Sequence, residues 1–206
     1  MNSPASPPAA STEGDATADS GLVRRAQGGD ARAFDQLVTR YRGKIYGMCH
    51  HLVQNEQDAW DLAQETFIKA WRALPSFKLD SSFYTWLYRI AHNCSYDWLR
   101  KRRIVSDGEF DDELQRTVAA GAEAVPKGST RPDQAMRNKE LGARITDAIA
   151  QLSPDHRTVI LLREAEGLSY EEIAEVTQQQ TGTVMSRLFY ARKKLQELLK
   201  DAYENA

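Results

Sequence analysis

In the stretch LSYEEIAEVTQQQTGTVMSRLFYARKKL, residues 168–195, a short helical pattern, a polar turn and a longer helical pattern follow one another. Ser169 with Glu172 three residues on is the signature of a capping box at a helix start. Ile173, Ala174 and Val176 face inward from the first helix; Val184, Leu188, Ala191, Leu195 and Leu198 form the apolar stripe of the second. The turn TQQQTG between them has helix-turn-helix spacing. Residues 181–195 hold Arg187, Arg192, Lys193 and Lys194 and no acid, in a chain whose net charge is −2. The stripe leaves Thr183, Ser186, Arg187, Tyr190 and Lys194 outward. Small hydroxyls, an arginine and an aromatic near a helix N-terminus suit a major groove, and the cations beyond them suit phosphates. On spacing alone, an αα-hairpin with a solvated basic face remains the alternative.

The rest of the chain is also helical. Residues 31–53, ARAFDQLVTRYRGKIYGMCHHLV, place Phe34, Leu37, Val38, Tyr41, Ile45, Met48 and Leu52 on one face. Residues 55–74 repeat the pattern until Pro75 stops it. Residues 81–103, SSFYTWLYRIAHNCSYDWLRKRR, form an aromatic-rich helix with a basic last turn. In residues 134–152, Met136, Leu141, Ile145, Ile149 and Leu152 share a stripe. Ser153 is the expected cap of the next helix, with Pro154 in its first position and Gly167 as its end. No segment alternates with a period of two, so the fold class is all-α: two small helical domains joined by a flexible linker, the second containing the helix-turn-helix. The boundaries are a disordered tail over 1–19, a first domain over 20–103, an acidic linker over 104–132 and a second domain over 133–203. The linker opens with IVSDGEFDDEL, five acids and no base, and continues into AAGAEAVPKGSTRPD.

Composition excludes several classes. Two cysteines in 206 residues carry no disulfide framework, the N-terminus lacks a secretory pattern, and no apolar run approaches the roughly 18–20 residues of a membrane span; a cytoplasmic protein is expected. Cys49, His50 and His51 are adjacent, so on a helix they fan over about 200° and do not converge on a metal. No phosphate loop or nucleophile–base pattern appears, so neither an enzyme, a small-molecule substrate nor a cofactor is expected.

The first domain adds two further signals. The aromatics Phe77, Phe83, Tyr84, Trp86, Tyr88, Tyr96 and Trp98 lie among basic residues. Trp86, Leu87, Ile90 and Ala91 read as core, whereas Phe83, Tyr84, Tyr88 and Trp98 spread around the helix and could stack on unpaired bases. The loop SFKLDSS could hold an extruded base. The helix DAWDLAQETFIKAW sets Asp58, Asp61, Gln64, Glu65 and Lys69 beside large apolar groups, which suits a protein partner or a solvated face.

Taken together, DAWDLAQETFIKAWRALPSF, SSFYTWLYRIAHN and LSYEEIAEV…TGTVMSRLFYARKKL resemble, in order, three segments of a bacterial RNA polymerase sigma factor of the extracytoplasmic-function class (sigma-70 group IV). The resemblance covers about residues 20–200. It implies that the first domain is sigma region 2, docking on the β′ clamp of core polymerase through Asp58, Asp61, Leu62, Gln64, Glu65, Phe67, Ile68 and Trp71. It implies −10 strand capture by Phe77, Lys78, Ser81, Ser82, Phe83, Tyr84, Trp86, Arg89 and Asn93. The second domain is then region 4, meeting the β flap and reading −35 DNA with Thr181, Thr183, Met185, Ser186, Arg187, Phe189, Tyr190 and Lys194. The linker is expected to thread towards the polymerase channels, its acids mimicking nucleic acid, and the other implied partner is an anti-sigma factor, often at the membrane. The chain departs from the family where Met185 and Tyr190 replace frequent cations and where the turn lacks a proline near Gln180. Arg187 is then the best remaining candidate for a guanine contact. A polymerase-independent helix-turn-helix regulator and a helical adaptor are the alternatives; association with polymerase separates them.

Overall fold

Helix boundaries in the computed structural model, which describes residues 12–106 and 132–200, follow local capping chemistry. Gly29 adopts φ +92°, and Asp30 then caps α2 (Ala31–Val53) by accepting from the Ala33 amide. Gln54 closes α2 in the left-handed region, and Asn55 immediately caps α3 (Glu56–Ala73) through the Asp58 amide. Pro75 sits in a 3₁₀ turn, Leu74–Ser76, where a helix interior would reject it. That turn is tied to α1 (Thr12–Gln27) because Gln27 donates to the carbonyls of Leu74 and Phe77 at 3.0 and 2.7 Å. Ser82 accepts from the Thr85 amide at the start of α4 (Phe83–Ser106).

After α5 (Pro132–Ala150), Ser153 and Pro154 start α6 (Pro154–Ile160) as the sequence predicts; a π-type turn over Leu161–Ala165 extends it. Gly167 turns the chain at φ +71°. Ser169 and Glu172 then form both bonds of the capping box on α7 (Tyr170–Thr177). Gln178 reverses the chain in the left-handed region, and α8 (Thr181–Leu198) completes the helix-turn-helix. Ile173 and Val176 of α7 pack with Val184, Leu188 and Ala191 of α8, all buried. Each of these valine, leucine and isoleucine side chains contributes about 1.5–3 kcal/mol, more than an exposed ion pair. The described residues contain helices and turns but no strand.

The structure corrects some boundaries. The tail expected over 1–19 is already helical from Thr12, and Asp19 is buried, accepting from Arg40 and from the Tyr41 hydroxyl. This long-range pairing has no local signature. α4 runs to Ser106 and α5 begins at Pro132, so both ends of the expected 104–132 linker are helical. Its five acids, the domain end expected at 203 and the side chain of Met136 lie outside the described residues. The α5 stripe is only partly covered: Leu152 is buried, but Leu141 and Ile145 stay exposed.

The two halves share one contiguous core, and a single guanidinium sits at their seam. Arg157 of α6 is buried. It donates to Ile149, Ala150 and Leu152 at the end of α5, and also to His51 and Leu52 at the end of α2, at 2.7 and 3.3 Å. Carbonyls orphaned at two helix C-termini are thus served by one cation, which also sits at the negative ends of two helix dipoles. Burial pushes its pKa down, and the five carbonyl contacts hold the charge in place. Arg157→Ala is expected to lower unfolding free energy by about 3 kcal/mol, because it leaves buried carbonyls unpaired; urea titration of the full chain measures this.

Candidate functional site

Three surfaces carry the predicted site residues. On α3, Asp61, Gln64 and Glu65 are exposed. Glu65 pairs with Lys69 at 2.8 Å, and Asp58 meets Arg102 of α4 at 3.7 Å. Beside these acids, Ile68 is 51% and Trp71 39% exposed. Trp71 is braced by the tilted ring of Phe34, with ring centroids 4.9 Å apart. Leu62, by contrast, is buried, and Phe67 is part-buried against the core, so these two support the face from behind. Trp60, absent from the predicted set, is 45% exposed and packs on Tyr46 at 4.4 Å. Its signal was present as the second apolar line 60–68–71, off the buried stripe and at helical spacing.

The aromatics around α4 differ from expectation. Phe77, Phe83, Tyr84, Trp86 and Tyr88 are all buried, and Phe77 stacks on Trp86 at 4.6 Å, with Phe83 alongside. One core accommodates them because α1, α2, α3 and, from the second half, α7 pack on the helix from several sides. Trp98 is part-buried, with the Arg102 guanidinium 4.9 Å from its ring. Of the polar members, Lys78 and Asn93 are exposed, Ser82 and Arg89 are part-buried, and the Ser81 hydroxyl is buried.

A third surface is the N-terminal half of α8. Met185, Phe189 and Tyr190 are 51%, 64% and 56% exposed; Phe189 and Tyr190 meet edge to face at 5.4 Å. Ser186 and Lys194 are exposed, while Thr181 and Thr183 are part-buried. Arg187 departs from the sequence reading: instead of pointing free, it is part-buried and paired with Asp155 of α6 at 2.5 Å. Arg192 is likewise paired, with Glu164 at 2.6 Å. Cys49, read as core, is buried, and burial pushes its thiol up to about 11. Between α5, α6 and α8 lies an apolar groove of about 760 Å³ lined by Ile145, Ile149, Ile160, Leu161, Leu195 and Leu199.

Comparison with known proteins gives two family matches: Sigma-70 region 2 over residues 37–105, and Sigma-70 region 4 over 142–195. The RNA polymerase sigma-H factor of Pseudomonas aeruginosa is 47% identical, covering 89% of this chain and 97% of its own. The ECF RNA polymerase sigma-E factor of Escherichia coli K12 is 42% identical, covering 88% and 96%. Among solved structures, CnrH in complex with the cytosolic domain of CnrY aligns with TM-score 0.63 at 29% identity, covering 89% of this chain and 98% of that one. The sigma factor RpoE in complex with the anti-sigma factor NepR from Bartonella quintana aligns with TM-score 0.64 at 32% identity, covering 81% and 96%.

One titratable group inside the α4 surface sets a pH response. His92 is buried and stacks on Tyr96 at 4.2 Å. Burial holds its pKa below the ordinary 6.5, and burial lowers that of His51 as well. Unfolding lets both rings protonate near 6.5, so their contribution is complete above that value and is lost as pH falls below it. The urea midpoint is therefore expected to drop between about pH 7 and about pH 5, and H51N/H92N to show a shallower drop.

Proposed function

The chain belongs to the extracytoplasmic-function class of bacterial RNA polymerase sigma factors, and from that premise we propose how its surfaces divide the work. The protein is a promoter-specificity subunit: it binds core RNA polymerase, recognises −10 and −35 elements and helps to melt DNA so that transcription starts. One arrangement carries this reading. An acidic and apolar helix face, a polar-rimmed aromatic cluster and an open recognition helix occur in that order along α3, α4 and α8.

On α3, Asp58, Asp61, Gln64, Glu65, Ile68, Trp71 and Trp60 face the β′ clamp, with Leu62 and Phe67 as their support. An exposed tryptophan and isoleucine ringed by carboxylates suit a partner helix that is both apolar and basic. The β flap would dock in the apolar groove between α5, α6 and α8. At the −10 element, Lys78, Ser81, Ser82, Arg89 and Asn93 contact the strand, while Phe77, Phe83, Tyr84 and Trp86 form the wall that shapes the base pocket. On α8, Thr181, Thr183, Met185, Ser186, Phe189, Tyr190 and Lys194 meet −35 duplex, joined by Arg187 once it leaves Asp155.

Bond-making belongs to the polymerase, and this chain supplies binding free energy and strand selection. Its remaining partner is an anti-sigma factor. No helix among the described residues is long and apolar enough to cross a membrane, and we place its work in the cytoplasm. A regulator acting without polymerase would leave the Trp60–Ile68–Trp71 face without a role.

The test is reconstitution with bacterial core polymerase and run-off transcription on a genomic fragment library. Promoter-dependent transcripts are expected with the wild type. I68A/W71A is expected to weaken core association by about tenfold or more with duplex binding intact. Arg187→Ala is expected to cut −35-dependent output by about tenfold. Duplex binding by the wild type without core association would overturn the reading.

A further inference from the structure

The N-terminal half of α8 presents a face of large carbon-rich groups. Met185, Phe189 and Tyr190 are each more than half exposed. Met185 and Phe189 are four residues apart, so they lie one above the other on the helix surface. The Tyr190 ring meets Phe189 edge to face, with centroids 5.4 Å apart, and so restricts the positions open to the Phe189 ring. Ser186 is exposed beside them. Val184, Leu188 and Ala191 bury the opposite side of the helix, so the apolar face stays outward.

Apolar groups clustered in water mark a contact site, and the charge around them says what the contact is. Residues 181–195 hold four cations and no acid. Lys193 and Lys194 lie beyond the apolar face, at positions suited to phosphates. At the other end, Gly182 is exposed, and a Cβ there would meet nothing within 4 Å. The fold itself does not need that glycine. Its missing side chain lets a polyanion approach the first amides of α8, which Gln180 leaves without a side-chain cap. Phosphate-seeking ends with apolar groups between them match a major groove, where base edges lie between two backbones.

Base edges differ in what they offer such a face. Guanine offers two acceptors that call for arginine or lysine, and adenine an edge that calls for asparagine or glutamine; thymine alone offers a methyl group. Residues 181–190 contain no lysine, asparagine or glutamine. Their one arginine, Arg187, is part-buried and paired with Asp155 of α6.

We propose that α8 chooses its duplex by thymine C5-methyl groups: Met185 and Phe189 each contact one, Tyr190 positions the Phe189 ring, and guanine readout is confined to Arg187. The inference rests on the reading of α8 as the −35 surface. The −35 element then has an A·T pair under each of these two side chains, with its methyl facing the helix.

The test uses the full chain with core polymerase on a promoter fragment recovered by run-off transcription. Each thymidine of the −35 element is replaced in turn by deoxyuridine, which removes the methyl and keeps every hydrogen-bonding group. Affinity is read by gel shift. A loss of about fourfold is expected at a contacted thymidine, the worth of one buried methyl, and none for the same exchange in the spacer. M185A/F189A is expected to lose the difference between thymidine and deoxyuridine. M185R is expected to gain a preference for guanine at the base pair that Met185 covers. Three results would each overturn the proposal: a −35 element without A·T pairs, equal binding of thymidine and deoxyuridine fragments at every position, or a difference that survives in M185A/F189A. Scrambling the whole −35 element is the separate control. If scrambling weakens wild-type binding while deoxyuridine does not, only the methyl readout fails; if scrambling has no effect, the −35 reading of α8 falls and the proposal with it.

Discussion

The arrangement of the two halves depends on the cation of Arg157. Helices α2 and α5 end facing α6, and each presents carbonyls that have no intrahelical donor. A guanidinium carries five N–H groups in a rigid plane, and here it serves carbonyls of His51, Leu52, Ile149, Ala150 and Leu152. An isolated buried charge would be costly. Surrounded by oriented dipoles, it becomes a joint whose geometry is fixed by direction as well as by distance.

Around the joint, the two kinds of interaction divide their roles. Apolar burial, from Leu37 and Ile45 in the first domain to Val184 and Leu188 in the second, supplies stability. The seam itself is polar, with partly exposed pairs such as Arg89–Glu175 and Lys44–Glu166. Such pairs are weak singly and salt-sensitive. The Trp60–Ile68–Trp71 side of α3 is built differently, with large apolar groups left in water among carboxylates.

The exposed face of α8 is largely apolar over its N-terminal half. Met185, Phe189 and Tyr190 project where cations would strengthen phosphate contact, and the nearby Arg187 and Arg192 are each held by a carboxylate. Further along the helix Lys193 is exposed, and Lys194, also exposed, lies 3.9 Å from Glu197. Apolar side chains in a major groove read shape and thymine methyl groups more than guanine.

What sequence alone determined was local and periodic. Capping at Ser153 and Ser169, the breaks at Pro75 and Gly167, the stripes of α2 and α8 and the helix-turn-helix spacing all rest on interactions within a few residues, so they are legible in one dimension. The three ordered motifs that identify the family are legible for the same reason. Only the tertiary structure decided which polar and aromatic groups are free. Phe83, Tyr84 and Tyr88 look exposed on a single helix and are buried because α1, α2, α3 and α7 pack around it. Arg187 looks free on α8 and is held by Asp155, 32 positions earlier. Arg157 reads as an ordinary charged residue and becomes the joint, since its partners His51 and Leu52 lie more than a hundred positions away. Contacts between distant segments leave no periodicity, and where burial depends on them, only the assembled fold determines it.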